Sequence, residues 1–308
     1  MCRQASSDRL DDERLLSAEI SYRLGKYDEE RLGEDDSAIE AYNDCLKKSN
    51  EHKEAMVALA RLYQNIGNNE ACSQFCNRLL KIDPSNEQAT FMYANLMLMK
   101  DQTEGAINTY VQLLEKEPDN FNTLSQLIEL LRRAGRVSDV PQHIERAEKA
   151  CQRSNLAGLS FCKGLYSRYS GDAVQALKEL NVARFDNFYG QSARINMIEI
   201  YLNPANEMIF SSQGDAGEAT TASNISMARE LIEDLQKTGV DTSILDCNAL
   251  IATKRKEELD LAVKTLQNLL AKNKDYVPAL VAMGLAKFIL KKGSDARNYL
   301  KTVVKNDF

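Results

Sequence analysis

The chain has 308 residues, of which 44% are hydrophobic and 27% are charged, a balance typical of a folded protein rather than a disordered one. With only 5 prolines and 14 glycines, the composition favours long helices over strands and tight turns. No apolar run is long enough to span a bilayer. A net charge of −6 argues against nucleic acid as the main partner, because phosphate binding requires a dense basic surface.

A period of 34 residues organises the chain, as the spacing of Pro84 and Pro118 indicates. The segments that precede Pro84 and Pro118 can be aligned at this spacing. In the first helix of each segment, large residues then align with large residues and small residues with small ones. Small residues coincide again in a second helix, at Cys72 and Ala106. This pattern is typical of tetratricopeptide (TPR) repeats. We therefore predict an all-α fold, a TPR-type right-handed helical solenoid of about eight helix-turn-helix repeats.

Close packing explains the pattern. We expect the small residue at position eight of each first helix to face position twenty of the second helix, so that the two backbones approach closely. A single hairpin cannot bury its second face, so each hairpin must stack on the next. The small position of the first helix is occupied by Ala60, Ala94, Gly164 and Gly284.

Two segments interrupt the period within what we predict to be a single solenoid over residues 1–308. Residues 26–37 form an acidic insertion in the first repeat. Residues 203–226, rich in Gly, Ser, Thr and Asn, form a flexible loop inserted in the sixth repeat. A second helix leads directly to Phe308 without a polar capping helix, so we expect further repeats beyond it.

Several strings resemble the tetratricopeptide repeat protein 21 family more closely than they resemble a general TPR pattern. The strings FCKGLY at 161–166 and NMIEI at 196–200 are idiosyncratic examples. Others lie at 123–133, 252–256, 276–280 and 296–301. They occur in the family's order, and the chain resembles the C-terminal part of the longer, all-repeat members.

The resemblance implies a biological context. That family is the large TPR subunit of intraflagellar transport complex A, which acts in retrograde ciliary transport and cilium assembly. The resemblance therefore implies other complex A subunits as protein partners. It also implies a cytoplasmic protein of the cilium, found with the cytoskeleton of the axoneme and in the basal body region.

Catalytic chemistry is not expected, because no arrangement of nucleophile, acid and base is visible. The only histidines, His52 and His143, belong to different repeats, and no Walker A or nucleophile-elbow motif occurs. Cys72 and Cys76 stand four residues apart, as metal ligands can, but both occupy core slots. We expect no enzyme activity, metal, cofactor, small-molecule substrate or direct membrane insertion.

The seven scattered cysteines indicate reduced thiols in the cytoplasm.

Partner binding is predicted on the concave face, which the first helices line in TPR solenoids. The candidate side chains are Phe91, Asn95, Met99, Arg132, Arg133, Phe161, Arg168 and Tyr169. Together they predict an apolar groove with a central arginine pair, which would suit an amphipathic helix or a neighbouring subunit. The alternative for these residues is packing between adjacent repeats. The alternative functions are an adaptor that captures peptide tails of chaperones or other clients, and an enzyme with a TPR shell.

Overall fold

The computed structural model describes residues 2–100, 102–151, 156–203 and 218–306. Sixteen α-helices occupy these ranges and no strand occurs within them, so the predicted all-α fold is confirmed. No helix within the described ranges combines the length and the apolar content needed to cross a bilayer. The chain divides into two compact units, and a single solenoid over the whole chain stays a prediction.

Unit 1, Met1–Gly135, consists of stacked helical hairpins. Helix α1 packs against α2, α3 against α4, and α5 against α6, and each hairpin contacts the next. The seven helices of this unit are α1 (Cys2–Tyr27), α2 (Asp35–Lys48), α3 (Lys53–Asn65), α4 (Asn69–Ile82), α5 (Glu87–Met99), α6 (Thr103–Lys116) and α7 (Phe121–Arg133).

Unit 2, Arg136–Phe308, repeats the same arrangement. After α8, four hairpins follow, α9 with α10, α11 with α12, α13 with α14, and α15 with α16. The helices are α8 (Val140–Ala150), α9 (Leu156–Tyr169), α10 (Ala173–Ala183), α11 (Gly190–Leu202), α12 (Glu218–Lys237), α13 (Ser243–Ala252), α14 (Lys256–Lys272), α15 (Val277–Ile289) and α16 (Gly293–Asn306).

Side chains at the helix starts explain where several helices begin. Asn68, Asn86 and Asn120 each accept a hydrogen bond from the backbone amide three residues later, at 3.1, 2.9 and 3.0 Å. Asp172 does the same for α10 at 2.9 Å, and His52 caps α3 through Nδ1. Each bond satisfies an amide that the first helical turn leaves without an intrahelical acceptor. The repeat therefore fixes helix starts as well as core positions.

The small residues of the first helices lie where the two helices of a hairpin cross. Ala60 and Ala94 are fully buried, and Gly164 and Gly284 are buried as well. A Cβ atom built on Gly164 would lie 2.7 Å from Leu180 Cγ and 3.3 Å from the Leu180 backbone nitrogen. Real side chains do not approach so closely, so glycine is required at this point. The predicted close approach of the two backbones is confirmed.

The main partner of the small residue lies four positions later than expected. A Cβ atom on Gly284 would lie 3.0 Å from Leu300 Cγ, but 3.6 Å from the carbonyl oxygen of Ala296 at position twenty. The first hairpin makes the same contact, since a Cβ atom on Gly25 would lie 2.9 Å from the ring of Tyr42. The sequence pattern missed Gly25 because the acidic insertion shifts the 34-residue register there.

The acidic insertion at 26–37 is largely helical. Helix α1 runs directly into a π-helical turn, Asp28–Leu32, which ends two residues before α2. Glu29 in this turn accepts a hydrogen bond from the Tyr42 hydroxyl at 3.0 Å and pairs with Arg61 of α3 at 2.7 Å. One carboxylate therefore joins the end of α1 to α2 and α3. The insertion has a structural role that its composition did not indicate.

Part of the segment predicted to be a loop, 203–226, is helical. Helix α12 begins at Glu218, so the prediction was wrong from that residue onward, and residues 204–217 lie outside the described ranges. Ile225 is buried and starts an apolar face that continues to Ile232. Packing of this face outweighs the modest helix propensity of the Ser, Thr and Asn residues around it.

Replacement of Gly164 by alanine should destabilise the chain. Alanine normally favours a helix by about 1 kcal/mol over glycine. At this position, however, its methyl group would collide with Leu180. We expect a net loss of about 1–3 kcal/mol in the free energy of unfolding, measured by chemical denaturation followed by circular dichroism.

Gly293→Ala is the matched control, since nothing lies within 4 Å of a Cβ atom built there. This substitution should leave the free energy of unfolding unchanged or raise it. In a Leu180→Ala background the penalty of Gly164→Ala should shrink, because the colliding side chain is absent. Equal effects of the two glycine substitutions would contradict a close contact at position eight.

Glu29→Gln should lower the free energy of unfolding by about 1–2 kcal/mol, because the neutral amide cannot pair with Arg61. The Glu29 side chain is only 17% exposed, so solvent screens its contacts incompletely. Glu30 is the control, since it is 60% exposed and 3.7 Å from Lys26. Glu30→Gln should change the free energy by less than about 0.5 kcal/mol. A comparable effect of both substitutions in the same denaturation experiment would refute the linking role of Glu29.

Candidate partner-binding surfaces

Three of the predicted binding residues lie along one face of α5 in unit 1. Phe91, Asn95 and Met99 follow at intervals of four residues, which places them on the same side of the helix. Phe91 is 43% exposed and Met99 is 69% exposed, whereas Asn95 is half-buried. We call these three residues the α5 strip. Its two apolar side chains are accessible to a partner.

The predicted arginine pair of α7 shares one carboxylate. Arg132 and Arg133 are exposed, and Glu129 lies one turn earlier on the same helix face. The Nε atoms of the two arginines lie 3.2 and 3.6 Å from the Glu129 carboxylate oxygens. Glu129 therefore offsets part of their positive charge. This disfavours a clamp for acidic peptide tails at this point of unit 1.

Phe161 is buried in unit 2, so the prediction that it lines an open groove was wrong. The residue is 6% exposed, and its ring centroid lies 5.4 Å from that of Tyr189. Tyr189 directly precedes α11, so this contact joins two neighbouring hairpins. Packing between repeats, the alternative reading of this residue, explains the aromatic side chain.

Arg168 also links successive first helices. Its side chain is 18% exposed, and Nη1 lies 2.7 Å from a carboxylate oxygen of Glu199 on α11. The same guanidinium group donates a hydrogen bond to the side-chain carbonyl of Asn196. Its central carbon lies 5.7 Å from the ring centroid of the half-buried Tyr169. Arg168 therefore contributes to the stacking of α9 on α11.

The turn between α10 and α11 forms an exposed aromatic surface outside the predicted concave face. Phe185 and Phe188 are 73% and 67% exposed. The Asp186 carboxylate accepts hydrogen bonds from the backbone amides of Phe188 and Tyr189, both at 2.8 Å. We call residues 185–188 the aromatic turn. The available signal was three aromatic residues around an Asp-Asn pair between two helices.

Contacts behind the aromatic turn fix its backbone. The Arg194 guanidinium group donates two hydrogen bonds to the carbonyl oxygen of Arg184, at 3.1 and 3.2 Å. A Cβ atom on Gly190 would lie 2.7 Å from that oxygen, so glycine permits the close approach. The Arg184 guanidinium carbon lies 4.4 Å from the ring centroid of Phe185, within cation–π range. A turn that is ordered before binding loses little entropy when a partner covers it.

Comparisons with known proteins identify the family. A profile described as the TT21 fifth ARM repeats domain matches residues 87–202, and a profile of the tetratricopeptide repeat protein 21 C-terminal ARM domain matches residues 226–308. Tetratricopeptide repeat protein 21A of Mus musculus is 34% identical over 97% of this chain. The chain belongs to the tetratricopeptide repeat protein 21 family. The resemblance read from the sequence strings is confirmed.

Members of the tetratricopeptide repeat protein 21 family are longer than this chain. Tetratricopeptide repeat protein 21B of Homo sapiens is 37% identical over 97% of the chain but 24% of its own length. The chain thus spans about a quarter of such relatives. A tetratricopeptide repeat profile also matches residues 33–96. The family and its repeats support a protein-interaction scaffold.

Solved structures with similar folds agree with the helical repeat of the family. A tetratricopeptide repeat protein from Parabacteroides merdae has a TM-score of 0.60 and 14% identity, over 88% of this chain and 99% of that protein. The apo form of RapI has a TM-score of 0.53 and 12% identity, over 94% of this chain and 97% of RapI. At such identities the likeness shows the fold alone.

Cys72 and Cys76 lie in the core of unit 1. The sulfur atoms of Cys72 and Cys76 are 4.0 Å apart, within an apolar cluster that includes Met92 and Leu96. The hydrogen bond to Cys72 and burial both raise the pKa of the Cys76 thiol. Among the described residues, no group of three or more His, Cys, Asp or Glu could hold a metal ion. These cysteines serve as packing residues.

The two histidines have structural surroundings. His52 Nδ1 accepts a hydrogen bond from the Ala55 amide at 3.3 Å, and its Nε2 lies 3.6 Å from the Glu19 carboxylate. His143, in unit 2, is half-buried on α8, where burial and the neighbouring charge of Arg146 lower its pKa. His52 therefore caps α3, and its ring also packs against that of Tyr22, with 4.9 Å between the ring centroids.

Two aromatic residues of the predicted groove should respond differently to alanine. Phe161→Ala should lower the free energy of unfolding by about 3–5 kcal/mol, because it leaves a cavity between hairpins. Phe91→Ala should lower it by only about 1–2 kcal/mol, because 43% of that residue is already exposed to solvent. Urea denaturation of both variants measures the difference. Similar, small losses for both would show that Phe161 is not a packing residue.

Proposed function

We propose that this chain is part of a non-enzymatic scaffold subunit of intraflagellar transport complex A, which acts in retrograde ciliary transport and cilium assembly. Membership of the tetratricopeptide repeat protein 21 family supports this assignment. The work of such a subunit is to hold other proteins, so its chemistry lies in accessible side chains on a rigid frame rather than in reactive groups.

The aromatic turn is the observation that carries the proposal. It lies within residues 87–202, which match the fifth ARM repeats domain of the family. Two phenylalanine rings in water cost solvation free energy that burial against a partner would recover, at roughly 25 cal/mol per Å² of apolar surface. Aromatic anchors on a preorganised backbone are typical of the few residues that dominate protein interfaces. Phe185 and Phe188 are the proposed anchors for another complex A subunit.

The α5 strip is a second proposed contact surface, in unit 1. Its exposed Phe91 and Met99 offer apolar area, and the flexible methionine adapts to partners of different shape. An amphipathic helix of a neighbouring subunit fits an apolar row with this four-residue spacing. Arg132 and Arg133, also in unit 1, would add polar contacts, reduced by the shared Glu129. In unit 2, Tyr169 is a candidate of lower exposure.

The proposed location follows from the proposed assembly. A complex A subunit works in the cytoplasm and in the cilium, at the axoneme and the basal body region. Its partners are proteins, not nucleic acid, membrane lipid or small-molecule substrates. No cofactor is part of the proposed role.

Affinity purification from ciliated cells tests the assignment. The tagged chain should recover complex A subunits, identified by mass spectrometry. The double variant Phe185→Ser/Phe188→Ser should recover at least about fivefold less, because each lost anchor removes about 1 kcal/mol or more of binding free energy. Loss of binding without a change in melting temperature would separate contact from folding.

Val174→Ser is the matched control, since Val174 is 81% exposed on α10 of the same hairpin. It should leave recovery of complex A subunits unchanged. If the unaltered chain recovers no complex A subunit, the named assembly is wrong. If it does so but the phenylalanine double variant binds equally well, the aromatic turn is not the contact, and Phe91→Ser/Met99→Ser tests the α5 strip in the same way.

A further inference from the structure

Two turns of unit 2 hold lysine in a backbone conformation that comparable turns reserve for glycine. The turns after α3 and α9 place Gly67 and Gly171 at φ values of 80° and 88°. The turns after α13 and α15 instead place Lys254 at 55° and Lys291 at 60°. Among the described residues, these lysines are the only non-glycine residues with positive φ. A side chain in this left-handed region is strained, and strain of this kind often accompanies function.

The two strained turns lie at the same end of stacked hairpins. Helices α13 and α15 pack side by side. Ile251, near the C-terminal end of α13, belongs to one core cluster with Leu259 at the start of α14, and Ile289 at the end of α15 packs against that cluster. The turns that follow α13 and α15 therefore emerge on a common edge of unit 2.

This edge carries a cluster of exposed lysines. Lys254, Lys256, Lys291 and Lys292 are all exposed, and we call them the lysine edge. Among the described residues, none of the four lies within ion-pair distance of a carboxylate, whereas the adjacent Arg255 lies 3.9 Å from Glu258. The charge of the four ammonium groups is thus not offset by direct pairing.

We propose that the lysine edge is a docking site for an acidic segment of a partner protein. Glycine would relieve the strain at both turns, so the presence of lysine there points to a use for its charge. The inference rests on the scaffold role but not on the identity of the assembly. It assigns a second kind of contact to unit 2, electrostatic rather than aromatic.

Interleaved acids favour a peptide over a uniform polyanion. Glu257 and Asp295 are exposed in the first turns of α14 and α16, directly after the two lysine-bearing turns. The phosphates of a membrane surface or a nucleic acid would be repelled by these neighbouring carboxylates. A protein segment with spaced Asp or Glu residues can meet the lysines alone.

The experiment measures binding and stability on the same purified chain. The probe is a short fluorescent peptide of alternating glutamate and serine, followed by fluorescence anisotropy. Lys254→Gly/Lys291→Gly should weaken peptide binding about three- to tenfold at low salt. The same variant should raise the melting temperature by about 2 °C for each relieved turn. Opposite changes in binding and stability distinguish a strained docking site from lysines that are merely solvated.

Two control variants separate charge from strain. Lys254→Arg/Lys291→Arg keeps both the charge and the conformation, so peptide affinity and melting temperature should stay unchanged. Lys264→Gln removes an exposed lysine from the middle of α14, away from the edge, and should also leave peptide affinity unchanged.

Equal peptide affinity of the unaltered chain and the glycine variant would overturn the proposal, as would no peptide binding at all. Tighter, lysine-dependent binding of phosphatidylserine vesicles or of duplex DNA would overturn the assignment of a protein partner. An unchanged melting temperature would refute the strain. None of these results bears on the recovery of complex A subunits, which tests the proposed function through other residues.

Discussion

Three hairpins depend on a close contact between a glycine in the first helix and a large residue in the second, at Gly25, Gly164 and Gly284. At Gly164 the Leu180 side chain and backbone occupy the space that any larger residue would need. Because interiors are packed nearly as densely as organic crystals, the helix crossing cannot loosen without leaving a void. The glycine or alanine thus sets the distance between the two helices, and the large neighbours fill the remaining volume.

The stacking of hairpins then determines which side chains stay exposed and available to bind partner proteins. The hairpin interfaces use Phe161 and Arg168, which contact residues at or before α11. In the turn between α10 and α11, Tyr189 contributes to this stacking, whereas Phe185 and Phe188 do not pack into the core. Phe185 and Phe188 are therefore exposed although the backbone beneath them is tightly held. A rigid frame with accessible turns is what a scaffold requires, since ordering is complete before the partner arrives.

Much of the fold was predictable because the same packing requirement recurs with the repeat along the chain. The burial of Ala60 and Ala94 follows from this rule alone. The rule failed where residues were inserted. The acidic insertion shifts Gly25 out of the 34-residue register, so the repeat did not predict its contact. The start of α12 at Glu218 was not predicted because the polar residues there show no helical periodicity of apolar positions. In both places tertiary packing outweighed local composition.

The candidate surfaces were less predictable for the same reason. Repeat position says that Phe161 and Phe91 belong to first helices, but not that one is 6% exposed and the other 43%. By itself the sequence determined the all-α repeat, the small contact positions and the family, since all three depend on residue order along the chain. Only the tertiary structure decided which side chains are buried and which turns are strained, as at Lys291. Exposure depends on the neighbouring hairpin, and a backbone angle depends on where two helices must meet.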